Sequence, residues 1–159
     1  MSSPRYYSTV SVTRPADTTA YTELDVLGAT SASVLEFANI APVGGGPIVL
    51  LYASLTVSIG TLPAGLGQTR IHLYSSAPTA IADNAAFNLP SGDRSQYLGY
   101  ITLGAPADLG DTLFVEDDFL RKTIVATSSS VFALTQTLGA FTPSASTVKT
   151  WELVAAELE

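Results

Sequence analysis

The longest regular pattern in the chain has a period of two. Leu51, Ala53, Leu55, Val57 and Ile59 alternate with Tyr52, Ser54, Thr56 and Ser58. This predicts a strand with its apolar side on a core and its hydroxyl side toward water or a neighbour. The run closes at Gly60, and the stretch from Pro63 to Gly67 supplies a turn. Alternation resumes at Arg70–Tyr74, with Ile71 and Leu73 inward and Arg70, His72 and Tyr74 outward. Further strands are predicted over Tyr6–Thr13, Tyr21–Leu27, Ser33–Ile40, Gln96–Leu103, Leu113–Val115, Leu120–Thr127, Val131–Ala140 and Ser146–Ala155. Gly, Pro, Asp and Asn turn signals separate them, which suits an all-β, single-domain antiparallel β-sandwich.

Helix is scarce. Ala80–Phe87 predicts one short helical segment near residues 80–87, stopped by Pro90. The C-terminal Trp151–Glu159 holds helix-forming residues, but the β-type run Val148–Trp151 before it predicts a strand with a frayed tail. Ser75–Ser95 shows no alternation and predicts a long loop, a kind of segment that often carries function or covers a surface. Gly44–Gly46 lacks the lysine and following helix of a phosphate loop, and predicts a sharp turn between strands.

Length and composition narrow this further. A chain of 159 residues fits one domain. Charged residues make up 13%, roughly half the ~25% of ordinary soluble domains. The polar share comes instead from 17 Ser and 19 Thr. Cysteine is absent, which excludes disulfides and thiolate chemistry. Seven basic residues oppose fourteen acidic ones, for a net charge of −7, and only Arg121 and Lys122 among the basic ones are adjacent. Direct nucleic-acid binding needs a concentrated positive field and is not expected. The polar start of the chain and the short apolar run Pro47–Leu55 predict neither a signal peptide nor a membrane span.

Candidate chemistry is sparse. His72 is the single histidine, placed by the alternation on the outer, polar side of its strand, and no Gly-x-Ser-x-Gly motif accompanies it. Glu116, Asp117 and Asp118 could in principle serve glycoside hydrolysis, but three consecutive acids cannot all face one sugar, and a solvated turn explains them better. With Asp108 and Asp111 they could also offer oxygen ligands to calcium, although the spacing fits no EF-hand loop. No catalytic residue, cofactor or metal is therefore expected, and the chain reads as a non-enzyme. The low charge carries a positive implication: charged residues are depleted at the centres of protein–protein interfaces, where desolvating them is costly. A surface of Ser, Thr, Ala and Tyr suits coverage by other chains.

Several blocks carry a resemblance. The run Arg70–Phe87 (RIHLYSSAPTAIADNAAF) and the following Asp93–Ile101 (DRSQYLGYI) resemble small virion structural proteins of tailed bacteriophages. Arg14–Tyr21 with Asp25–Gly28, and the strand pair Val131–Phe141 and Thr147–Ala155, fit the same family; together these blocks make up 59 of the 159 residues. The resemblance implies a capsid decoration (cement) protein: a jelly-roll-like sandwich, assembled as a homotrimer on the outer surface of the head, bridging copies of the major capsid protein. The alternative within the same family is a tail- or tail-fibre-associated structural or receptor-binding module, whose glycan recognition would require aromatic rings exposed together.

These implications single out candidate capsid or subunit contacts. Tyr52, Ser54 and Thr56 lie on the hydroxyl side of their strand. Arg5, Tyr6 and Tyr7 lie in residues 1–13, which form either an N-terminal arm or the first strand of a sandwich domain completed by residues 14–159. Phe87 and Leu89, apolar within the strandless region, either touch a neighbour or plug one end of the core.

Overall fold

The computed structural model describes residues 3–158. Ten strands follow one another: β1 (Arg5–Thr13), β2 (Leu35–Phe37), β3 (Gly46–Val57), β4 (Thr69–Tyr74), β5 (Tyr97–Leu103), β6 (Ala107–Asp108), β7 (Leu113–Asp117), β8 (Lys122–Ala126), β9 (Val131–Thr137) and β10 (Val148–Glu157). They form two antiparallel sheets. The first runs β1-β10-β3-β7-β6, with β8 also paired to β3, and the second runs β2-β9-β4-β5.

The pairings nest. β1 pairs with β10, β2 with β9, β3 with β7 and β8, and β4 with β5. The chain is thus one long hairpin whose successive pairs fall alternately in the two sheets, and that is the jelly-roll topology. β7 and β8 act as a single interrupted strand, because β7 covers Ala53–Val57 of β3 while β8 covers Gly46–Leu50.

Between the sheets lies a single apolar core. Ile48, Leu50, Leu55, Trp151 and Leu153 from the first sheet meet Ile71, Leu73, Leu103 and Val131 from the second, all essentially without solvent exposure. Period-two alternation accounts for most of this, with one departure. Opposite Val154 and Ala155 of β10 the register skips a residue of β3, pairing Val154 with Tyr52 but Ala155 with Leu50. Leu51 is the extra residue of a β-bulge, which reverses the parity of the strand on its N-terminal side. Ile48 and Leu50 therefore point inward, and Leu51 leaves the core face on which simple alternation places it.

Other expectations change as well. Residues 80–87 are not helical: bridges from Ser33 to Ile81 and from Asp25 to Ala86 hold them extended around a turn at Asn84, whose φ is 61°. The helical segment is instead a 3-10 turn over Ser91–Gln96, after Pro90. Tyr21–Leu27 contributes isolated bridges rather than a strand, because Leu24 adopts a φ of 72° and interrupts the extended backbone. Ser33–Ile40 shortens to β2, turning at Asn39 with a φ of 57°. Gly44 and Gly45, with φ of 93° and 82°, make the sharp turn expected before β3. The segment Arg5–Thr13 pairs along its whole length with β10 as an edge strand.

Candidate functional site

The outer face of the first sheet has two halves. In one, hydroxyls dominate. Ser11, Thr150 and Thr56 line up across β1, β10 and β3, followed by Phe114 of β7, and the next row is Thr9, Glu152, Ser54 and Glu116. Ser11 and Thr150 share a hydroxyl hydrogen bond of 2.8 Å. Of the candidate contacts in this half, Thr56 is half-buried, whereas Ser54, a short side chain between Glu152 and Glu116, is buried and not open to a partner.

The other half is a groove of about 530 Å³. It forms where the bulge at Leu51 meets the interruption between β7 and β8, so that no strand covers Leu51 and Tyr52 on that side. Leu51, Leu120 and Val154 give it apolar lining, Tyr7, Tyr52 and Phe119 give aromatic lining, and Arg5, Asp118, Arg121 and Glu152 supply charges of both signs. Tyr52 is pinned by donating its hydroxyl proton to Glu116 Oε2 at 3.0 Å. Asp117 Oδ1 accepts a hydrogen bond from the Phe119 backbone N–H at 3.0 Å, shaping the turn that leaves the Phe119 ring exposed.

Three candidate contacts, Arg5, Tyr7 and Tyr52, thus converge on one groove. Tyr6 does not join them; it packs partly against the core and donates its hydroxyl to Glu157 at 3.2 Å. Phe119 and Arg121 were not singled out by sequence reasoning, which treated the acidic triplet before them as a solvated turn. An apolar Phe119-Leu120 pair inside so polar a turn is the signal that could have found them.

Phe87, in the 75–96 segment, is laid over the second sheet through its stacking on His72, and Leu89 of the same segment is half-buried. His72 occupies an outward position of β4, yet it is buried, because Phe87 stacks on it with ring centroids 3.8 Å apart. Gln136 Nε2 donates to the Leu24 carbonyl at 3.1 Å, so its Oε1 accepts from His72 Nε2 at 2.9 Å. His72 Nδ1 is then left to accept from the Tyr97 hydroxyl at 2.9 Å. Burial pushes the imidazole pKa down; the Gln136 hydrogen bond opposes this and the Arg70 charge adds to it. A neutral, fully bonded histidine under a loop is a packing element, where alternation alone placed it at the surface.

A second buried polar cluster ties the loops together. Tyr21 donates its hydroxyl to Asp83 Oδ1 at 2.5 Å, Gly28 N–H donates to the same oxygen at 2.8 Å, and Arg14 Nε donates to the Tyr21 oxygen at 3.0 Å. Arg14 Nη2 stands 3.7 Å from Asp83 Oδ2. Burial, then the Asp83 hydrogen bond, drives the Tyr21 pKa upward. Asp108 caps its own turn through the Gly110 N–H. Among the described residues, no group of three or more His, Asp and Glu side chains converges, and no helix is long and apolar enough to cross a membrane.

No protein-family model matches the chain, and no curated protein matches it significantly in sequence. Among solved structures it is similar to the capsid of Ralstonia phage GP4, with 14% identity over 82% of this chain and 86% of the other and a TM-score of 0.36. It is also similar to the capsid structure of Helicobacter pylori bacteriophage KHP30, with 11% identity over 98% and 90% and a TM-score of 0.33. The adhesin domain of Lys-gingipain from Porphyromonas gingivalis is comparable, at 10% identity over 94% and 74% and a TM-score of 0.34. These superpositions are loose, and the jelly-roll assignment rests on the strand order of the chain itself.

Proposed function

We propose that this chain is a structural protein of a virion, and within that class a capsid decoration (cement) subunit on the outer surface of a tailed-phage head. The observation that carries the proposal is the hydroxyl half of the first sheet. Ser11, Thr150 and Thr56 form an uncharged row spanning three strands, in a chain where 13% of residues are charged. Covering this row with another protein desolvates hydroxyls, which find new partners at small cost; the adjoining row carries two carboxylates, Glu152 and Glu116, the latter already accepting from Tyr52. The sequence blocks that resemble small phage virion proteins support the same reading.

The action is mechanical and non-covalent. The jelly roll supplies a rigid block whose sheet face and loops bridge neighbouring major capsid proteins. A homotrimer about a three-fold axis satisfies the closed symmetry of soluble assemblies. A subunit that binds only the assembled shell stabilises that state by mass action. A net charge of −7 favours the outside of a head over its DNA-filled interior.

Locating the protein on native particles by antibody labelling and low-resolution imaging tests this directly. Label distributed over the head is expected. Label confined to the tail would replace the decoration role with a tail-associated one, and absence from the particle would overturn the virion reading. Light scattering of the isolated chain is expected to give three times the chain mass; a strict monomer at micromolar concentration would overturn the trimer.

A further inference from the structure

We propose that the groove between β1, β10, β3 and the 118–121 turn is a binding site for a neutral saccharide. The inference does not rest on the virion role, which is argued from the Ser11, Thr150 and Thr56 row; the two areas adjoin at Glu152.

Three observations carry it. First, two aromatic rings stand open at one groove: Tyr7 is 63% exposed and Phe119 is 85% exposed. Among the described residues nothing covers the Phe119 ring, although burying it elsewhere would be favourable. A ring presented this way offers its electron-rich face to weakly polarised C–H groups, such as those on the flat side of a pyranose. Second, Arg5, Asp118, Arg121 and Glu152 line the same space, and among the described residues none of these four side chains forms an ion pair within the chain. A sugar hydroxyl both donates and accepts, so one polyol can satisfy carboxylates and guanidinium groups together. Third, the lining holds two cationic and two anionic side chains, which cancel.

The balance of charge selects the ligand. An anionic polymer would meet Asp118 and Glu152 as well as the arginines and gain no net field. A purely apolar partner would desolvate four charges without pairing them. A neutral saccharide does neither. The volume, about 530 Å³, lies within the roughly 300–1,000 Å³ usual for small-ligand sites. The groove is open along the sheet, as a chain of sugar rings requires. Its aliphatic lining, Leu51, Leu120 and Val154, completes the apolar contact beneath the rings.

The test is a glycan array followed by NMR titration of the full chain with the neutral saccharides that score, beside sialylated and phosphorylated ones. Neutral saccharides are expected to bind and to shift the resonances of Tyr7, Tyr52, Phe119 and Arg121. Phe119→Ala and Arg121→Ala should each weaken binding at least tenfold, while Thr56→Ala in the hydroxyl half leaves it unchanged. Phe119 is so exposed that its alanine variant should fold normally, checked by its thermal midpoint. No binding of any neutral saccharide at millimolar concentration would overturn the proposal. So would binding restricted to anionic glycans, or binding that survives Phe119→Ala with Arg121→Ala. If Phe119→Ala abolishes attachment to phage heads while no saccharide binds, the groove belongs to a protein partner, and the saccharide assignment fails while the virion reading stands.

Discussion

His72 and Phe87 are stacked face to face, with centroids 3.8 Å apart and planes inclined by 13°. This contact fastens the long 75–96 segment to the second sheet, and it makes the stability of the fold sensitive to acid. Burial lowers the His72 pKa below its ordinary 6.5. The unfolded chain therefore takes up this proton more readily than the folded one, and stability falls as the pH drops through 6.5 toward the folded value. Phe87→Ala should cost about 1–3 kcal/mol in chemical denaturation, since the ring is only partly buried. It should also let the His72 pKa rise toward 6.5, measured by NMR titration. A variant of unchanged stability with an unchanged His72 pKa would show that the stack contributes nothing.

Lys149 points inward from β10 and is buried, and its ammonium has no hydrogen-bond partner among the described residues. Burial brings its pKa from 10.5 down to about 8, with the Asp83 charge opposing this and the Arg14 charge adding to it. Between those two values the unfolded state holds the proton that the folded state has released. Stability should thus rise with pH from about 8 toward 10.5, by up to about 3 kcal/mol, and remain at its lower level below that window. Lys149→Met should stabilise the protein at pH 7 by about 1–3 kcal/mol and flatten the rise. Denaturant midpoints between pH 7 and 10 provide the check; a less stable methionine variant would mean that the ammonium has a favourable partner.

The Asp83 carboxylate is the joint between the segment around Gly28 and the 75–96 loop. Asp83→Ala removes the acceptor of the Tyr21 and Gly28 hydrogen bonds and one of two carboxylates near the buried Arg14 guanidinium, which keeps Asp17 at 3.0 Å, and should cost about 2–4 kcal/mol. Tyr21→Phe removes the hydrogen bonds to Asp83 and from Arg14 Nε while keeping the ring against Phe141, and should cost about 1–3 kcal/mol. Equal losses in the two variants would contradict the central place given to the carboxylate.

Two loops interlock at one end of the sandwich. Gly65 has a φ of 89°, and a Cβ there would lie 2.1 Å from the Ala140 carbonyl oxygen. Gly65→Ala combines a disfavoured backbone with a backbone clash and should cost more than about 2 kcal/mol. Gly44, with a φ of 93° but nothing within 4 Å, isolates the backbone effect, and its alanine variant should cost only about 1 kcal/mol. Thermal unfolding of the pair distinguishes clash from conformation; similar midpoints would remove the interlock.

The all-β class, the inward set Ala53, Leu55 and Val57, the long loop after β4 and the sharp turn before β3 are legible in the local sequence. Each follows from backbone geometry acting over a few residues: side chains alternate, glycines turn, and hydroxyls choose the wetter face. Tertiary structure alone decided the rest. Leu51 leaves the core because the pairing of β3 with β10, a strand about a hundred residues away, skips one position. His72 is buried because Phe87, fifteen positions later, lies down on it. The groove exists because β7 and β8 break opposite that bulge, bringing Arg5 and Tyr7 beside Phe119 and Arg121. A bulge, a loop's resting place and a gap between paired strands are set by distant partners competing for the same hydrogen bonds and apolar surface. No local period encodes that competition.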